Sequence, residues 1–278
     1  MSFGDVIRYA QAPGGLPIGI GGDSVTIWHC DYGADRLYEL DISDFSVIRS
    51  ATSPTSRPGG IGGDSTTIWH CDYGANRLYE LDISDFSVIR SATSPTSCPG
   101  GIGGDSTTIW HCESNEDRLY ELDISDFSVI RTEISPTGLL NPQGIGGDSK
   151  AIWYCDSDSS VWSFVYSLSV LDFSIEKSAQ FFGYLHLRTV PSSIGGDSAT
   201  IWVCDRYFDQ IYELDAAITG IQVGDTVLLI PNYGDIYDRA CIKGGDISSG
   251  DNVRLYPITG GAKVAIKEAW SANDNVIF

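Results

Sequence analysis

Apolar and polar positions alternate in short bursts along most of this chain. Between Gly59 and Thr93 four bursts follow one another, GGIGG, TTIWHCD, RLYELD and FSVIRSAT, separated by turns at Asp-Ser, DYGAN and ISD; SPTSRPGG leads in from the burst before. β-Branched and aromatic residues fill the bursts, and Gly, Pro, Asp, Asn and Ser fill the gaps, which is the signature of strands joined by tight turns. No segment shows the 3.6-residue period of an amphipathic helix. The pattern predicts four short antiparallel strands, the first built from small residues.

The unit then repeats. Its Asp-Ser pair recurs at Asp23, Asp64, Asp105, Asp148 and Asp197, and IW-x-C recurs at Ile27–Cys30, Ile68–Cys71, Ile109–Cys112, Ile152–Cys155 and Ile201–Cys204. One four-stranded unit per repeat of about 41 residues predicts the blades of a β-propeller, with glycines in the innermost strand where blades crowd the axis. The ends fix the number. FGDVIRYAQAPGG aligns with the fourth strand of later copies, whereas the last copy stops at QIYELD, Gln210–Asp215. The fold class expected is all-β: a five-bladed β-propeller closed by an N-terminal strand, leaving no open edge. It is joined to a small C-terminal β-barrel or sandwich domain. The boundaries are residues 1–218 for the propeller and 219–278 for the small domain. Its expected strands are Val223–Ile230, Ile236–Lys243, Asn252–Ile258 and Ala262–Ala269.

Across this repeat PGGIGGDSTTIWHCDYGANRLYELDISDFSVIRS resembles the NHL/YVTN-type propeller repeat. There a Pro-Gly-Ile start leads to a Tyr/Trp-containing strand, an Asp, an Asn-Arg pair and a Phe-Asp-like turn. The resemblance spans Phe3 to Asp215 and implies architecture only. The sequence departs at IWHC, where that family usually carries a Val-Ala-type pair, so no activity is carried over.

The formal charge of the 278 residues is −20, of which about −18 precedes Gly220. That field repels a phosphate backbone, so nucleic acid is not an expected partner. No apolar run reaches membrane-spanning length, and MSFGDVIRYA lacks the pattern of a secretory signal. Synthesis in the cytoplasm without a signal peptide is expected, with display on a virion one route outward.

Candidate chemistry is sparse. Five of the seven cysteines share one strand position in successive blades, too far apart to bridge, and are expected as buried thiols. The His and Cys of W-H-C face opposite sides of a strand, so neither a metal nor any other cofactor is expected. Recurrent Trp28, Trp69, Trp110, Trp153 and Trp202 should pack between blades, while Trp162 breaks the repeat. Asp31, Asp72, Glu113, Asp156 and Asp205 should form a ring on the face that carries the second-to-third-strand loops. In three blades an Arg five residues on (Arg36, Arg77, Arg118) could pair with the acid. Blades four and five lack that spacing, which leaves Asp156 and Asp205 as candidate ligand-binding acids. Tyr32 and Tyr73 offer flat surfaces for a sugar. Insertions on the same face bring Leu139, Leu140, Phe181, Phe182, Tyr184 and Leu185, and apolar additions to one loop face point to a contact surface.

No singular carboxylate pair, Ser/His/Asp arrangement or phosphate loop stands out. The expected function is non-enzymatic binding or structure. The loop face would recognise a protein or glycan, and residues 219–278 would attach to a larger assembly or to a second copy. A carbohydrate-active or lyase-type enzyme and a pure assembly scaffold are the alternatives.

Overall fold

The computed structural model describes residues 3–23, 25–137, 142–157, 163–180, 190–197, 200–216, 227–231, 253–258 and 262–267. Their contacts divide the chain into two units, Phe3–Ala217 and, with the first two residues, Ile218–Phe278.

The larger unit is a five-bladed β-propeller. β1 spans Val6–Gln11. Blade 1 is β2 (Pro17–Gly22), β3 (Thr26–Asp31), β4 (Arg36–Asp41) and β5 (Val47–Thr52). Blade 2 is β6 (Pro58–Gly63), β7 (Thr67–Asp72), β8 (Arg77–Asp82) and β9 (Val88–Thr93). Blade 3 is β10 (Pro99–Gly104), β11 (Thr108–Glu113), β12 (Arg118–Asp123) and β13 (Val129–Ile134). Blade 4 is β14 (Pro142–Gly147), β15 (Ile152–Ser157), β16 (Ser163–Leu168) and β17 (Ile175–Gln180). Blade 5 contributes β18 (Pro191–Gly196), β19 (Thr200–Asp205) and β20 (Gln210–Asp215), and its outer strand is β1, in the order β1-β20-β19-β18. The expected closure by the N-terminal strand is therefore what forms, with Tyr9 opposite Tyr212 and Gln11 opposite Gln210.

In the smaller unit β21 (Val227–Pro231) and β22 (Val253–Ile258) flank β23 (Ala262–Lys267), β21 in parallel and β22 antiparallel. The strand expected at Ile236–Lys243 lies outside the described residues.

Glycines let the blades meet at the axis. A Cβ on Gly62 would lie 2.8 Å from Gly103 Cα, one on Gly103 2.7 Å from Gly146 Cα, and one on Gly195 2.8 Å from Gly21 Cα, and so on round the ring. Only backbone occupies those positions, so no side chain can move aside. Between blades the recurrent tryptophans and cysteines form the core: Trp28, Cys30 and Leu37 of blade 1 pack on Ile61, Ile68, Tyr79 and Phe86 of blade 2.

A second inter-blade device was not apparent from sequence. Arg90 on β9 pairs with Glu80 of its own blade and donates to the Ile124 and Ser125 carbonyls of blade 3. Its guanidinium lies 4.6 Å from the centre of the Phe127 ring. Arg8, Arg49 and Arg131 do the same over Phe45, Phe86 and Phe173. These phenylalanines sit in the left-handed region, with φ between 58° and 64°, a conformation that packing must hold against steric strain. The interface from blade 4 to blade 5 lacks the clasp: Lys177 takes the arginine position and Gly4, φ 82°, the phenylalanine position. Phe3 instead stacks on Trp153 with ring centres 5.9 Å apart. Arg90→Ala removes charged hydrogen bonds and a cation–π interaction at the same time and is expected to cost about 2 kcal/mol. Lys177→Ala is expected to cost about 0.5 kcal/mol or less. Urea denaturation of the two variants side by side checks the difference.

Candidate functional site

The ring acids end the second strand in four blades and stand one residue from its end in blade 4, and all five are buried. The carboxylates of Asp31, Asp72, Glu113 and Asp205 accept backbone amides of the adjoining loops. Asp31 accepts the Leu16 and Ala34 amides at 2.7 and 2.6 Å, and Asp72 accepts Ala75 N–H at 2.6 Å. Glu113 accepts the amides of Asn115, at 2.9 Å, and Glu116. Asp205 accepts those of Tyr207 and Val190 at 2.7 and 3.3 Å. The acids hold the loops through backbone amides, not through the arginines five residues on. Arg36 and Arg77 donate instead to Ser50 and Ser91, and Arg118 faces Glu116 at 3.9 Å. An amide is nearer to the end of the strand than a flexible guanidinium and costs no side-chain entropy to place. Burial raises the Asp72 and Asp205 carboxyls above the usual range.

With these four acids turned to loop amides, strand alternation points the next residue the other way. Those residues, Tyr32, Tyr73, Ser114 and Arg206, line a single cavity of about 350 Å³ at the mouth of the central channel. Asn115 and the starts of the inner strands, among them Ile18, Gln143 and Ser192, complete its described wall. Toward the opposite face the axis shrinks to a space of about 10 Å³ between glycines such as Gly21, Gly62 and Gly103. The mouth is thus a cup rather than a passage.

Tyr32 and Tyr73 are 36% and 42% exposed, so their ring faces are available. Ser114 and Ser192 donate to the carbonyls of Pro142 and Pro17 at 2.8 and 2.7 Å. Cys98 lies beneath the wall, 2.7 Å from Asn115 Nδ2 and 3.9 Å from the Tyr73 hydroxyl. Arg206 is exposed, and its guanidinium meets no ion-pair partner among the described residues.

Of the residues singled out from sequence, Tyr32 and Tyr73 come together here. Asp156 and Asp205 sit buried at the strand ends and are not part of the cavity wall. Trp162, Phe181, Phe182 and Tyr184 lie outside the described residues, as do Leu139, Leu140 and Leu185. Arg206, Ser114, Asn115 and Gln143 were missed. The signal that could have found them is the residue after each IW-x-C-Asp/Glu, which is Tyr, Tyr, Ser, Ser and Arg in successive blades.

Two of the three buried histidines of the IW-x-C strands form pairs with serine that look catalytic but are not accessible. His70 shares its Nδ1 proton with the Gly60 carbonyl at 2.7 Å, and its Nε2 meets Ser53 Oγ at 3.2 Å; His111 and Ser94 repeat the arrangement. Burial pushes His29, His70 and His111 down to a pKa of about 4, so all three are neutral at pH 7. His70 and His111 tie the connections from blade 1 to blade 2 and from blade 2 to blade 3 to the next inner hairpin, and His29 bonds the Gly19 carbonyl at 2.8 Å. The thiols of Cys30, Cys71, Cys112, Cys155 and Cys204 are free and buried, and burial raises their pKa. Among the described residues no group of three His, Cys, Asp or Glu could hold a metal.

No family model and no curated protein matches the sequence. Among solved structures the chain is similar to the glutaminyl cyclase of Myxococcus xanthus, with a TM-score of 0.62 over 76% of this chain and 96% of that one, at 10% identity. It is also similar to the virginiamycin B lyase of Staphylococcus aureus, with a TM-score of 0.46 over 75% of this chain and 98% of that one, at 15% identity. The first of these likenesses speaks for the fold and not for an activity. The propeller implied by the NHL/YVTN-type resemblance is the architecture observed.

Proposed function

We propose that this protein is a recognition module that binds one ligand per ring at the mouth of the channel, and that the ligand is a glycan. The observation that carries the reading is asymmetry. Blades 1 to 3 repeat nearly word for word in their strands, and blade 5 keeps much of the same wording, yet the residue turned into the mouth is Tyr in blades 1 and 2 (Tyr32, Tyr73), Ser114 in blade 3 and Arg206 in blade 5. A scaffold has no use for such divergence at one spot, and a single ligand needs it. Two exposed phenol rings on adjacent blades suit the apolar face of a pyranose, while Ser, Asn and Gln side chains suit its hydroxyls. The volume is that of a small-molecule site.

A glycan array followed by calorimetry tests this. Tyr73→Ala is expected to weaken the best ligand by about tenfold, equivalent to about 1.4 kcal/mol. Its melting temperature should be unchanged, since Tyr73 is exposed and outside the core. An array without a single binding sugar would end the glycan reading. Undiminished binding by Tyr73→Ala would move the site away from this mouth.

A further inference from the structure

We infer, resting on the glycan reading above, that the ligand is an acidic saccharide whose carboxylate seats on Arg206.

The protein carries 37 acidic residues against 17 basic ones, yet among the described residues the cavity wall includes no carboxylate. Its single charged member is Arg206. The acids nearest the wall are turned away from it and spent on loop amides; Asp205, the residue before Arg206, takes two of them. Most other described arginines of the propeller have partners of their own; Arg57 is exposed and has no side-chain partner among the described residues, but it is not part of the cavity wall. Arg8, Arg49, Arg90 and Arg131 are bound to glutamates, and Arg36 and Arg77 to serines. Among the described residues Arg206 has none of these, and it stands at the strand position that blades 1 and 2 give to Tyr32 and Tyr73. Ring closure makes blade 5 the neighbour of blade 1, so the cation adjoins the aromatic arc instead of facing it across the mouth. A sugar ring laid on a tyrosine would bring a carboxylate on that ring toward the guanidinium, whose planar fork matches a carboxylate in two parallel hydrogen bonds.

The remaining charge of the protein works against an anion at long range. Discrimination must then come from contact, and screening should speed encounter with an acidic sugar even as it weakens the bound pair.

Calorimetry with matched probes separates the possibilities: trigalacturonate against its methyl ester, and 3′-sialyllactose against lactose. At least one acid is expected to bind the intact protein about tenfold or more tightly than its neutral partner. Arg206→Gln should bring that acid down to the affinity of the neutral form. Arg206→Lys should keep part of the preference, because it preserves charge and loses the fork. Melting curves of both variants should overlay the parent, because the side chain is exposed. Equal binding of acid and neutral forms, or a preference that survives Arg206→Gln, overturns the inference and leaves the glycan reading standing. Failure of all four probes together with an empty glycan array overturns both.

Discussion

Between pH 6.5 and pH 4 the propeller should lose stability steeply, by about 3 kcal/mol for each of His29, His70 and His111. Each imidazole is fully buried, so folding favours its neutral form and lowers its pKa from 6.5 to about 4. The unfolded chain takes up these protons below pH 6.5, and the folded one resists until about pH 4. The stabilisation is therefore complete above pH 6.5 and disappears as pH falls through that window. Asp72 and Asp205 act with the opposite sign: their folded pKa values are raised, so acid relieves a native-state cost and offsets part of the loss. Urea unfolding at pH 7.5 and pH 4.5 measures the balance. Blade 4 supplies the control, since Tyr154 fills the histidine position there and its hydroxyl lies 2.9 Å from Ser135 Oγ. His111→Tyr should keep a hydrogen bond to Ser94 and flatten the pH profile by about one third of the histidine contribution. A profile as steep as the parent's would show that the acid response arises elsewhere.

Gly62→Ala is expected to cost about 3 kcal/mol or more, at the upper end of what overpacking a core exacts. The new methyl would lie 2.8 Å from both Gly103 Cα and the Ile102 carbonyl oxygen. Relief requires moving a whole strand, and every strand round the axis leans on the next through the same kind of contact. Gly15→Ala is the comparison, because nothing lies within 4 Å of a Cβ there; it should change stability by about 0.5 kcal/mol or less. Thermal melts of the pair decide the matter. Equal melting temperatures would mean that the blades slide apart at little cost and that the glycines are not what sets the ring.

The architecture was legible because each of its causes is local and repeated. IW-x-C marks a strand five times over, and the spare strand FGDVIRYA can be matched to the missing one after QIYELD without coordinates. The candidate site was legible only in part. Tyr32 and Tyr73 attract attention as aromatics in a loop, but Arg206 looks like any surface arginine until strand alternation and ring closure place it beside them. The ring acids misled for a related reason. Asp31 and Arg36 face each other across one hairpin, so spacing favours an ion pair, whereas the turn between them offers backbone amides at closer range. The arginine clasp joins Arg49 to a phenylalanine of the following blade, Phe86, and such contacts across repeats leave no trace in the pattern of one repeat.

Closure by β1 also dictates an order of events. Arg8 and Glu213, partners across β1 and β20, are 205 residues apart, and at the pace of translation the first strand waits on the order of 10 s or more for its mate. Through that interval Ile7 and Tyr9 belong to an edge with no neighbour, while VIRSAT strands much like it emerge from the ribosome behind it. Circularisation is therefore the last step in forming the ring and the slowest to be rewarded, since most of the loop-closure entropy must be lost before the final sheet of the ring exists. Where two chains emerge close together, the same strand can complete the neighbour's fifth blade as well as its own. The strand exchange that completes the fifth blade thus makes domain-swapped dimers the expected by-product of crowded synthesis.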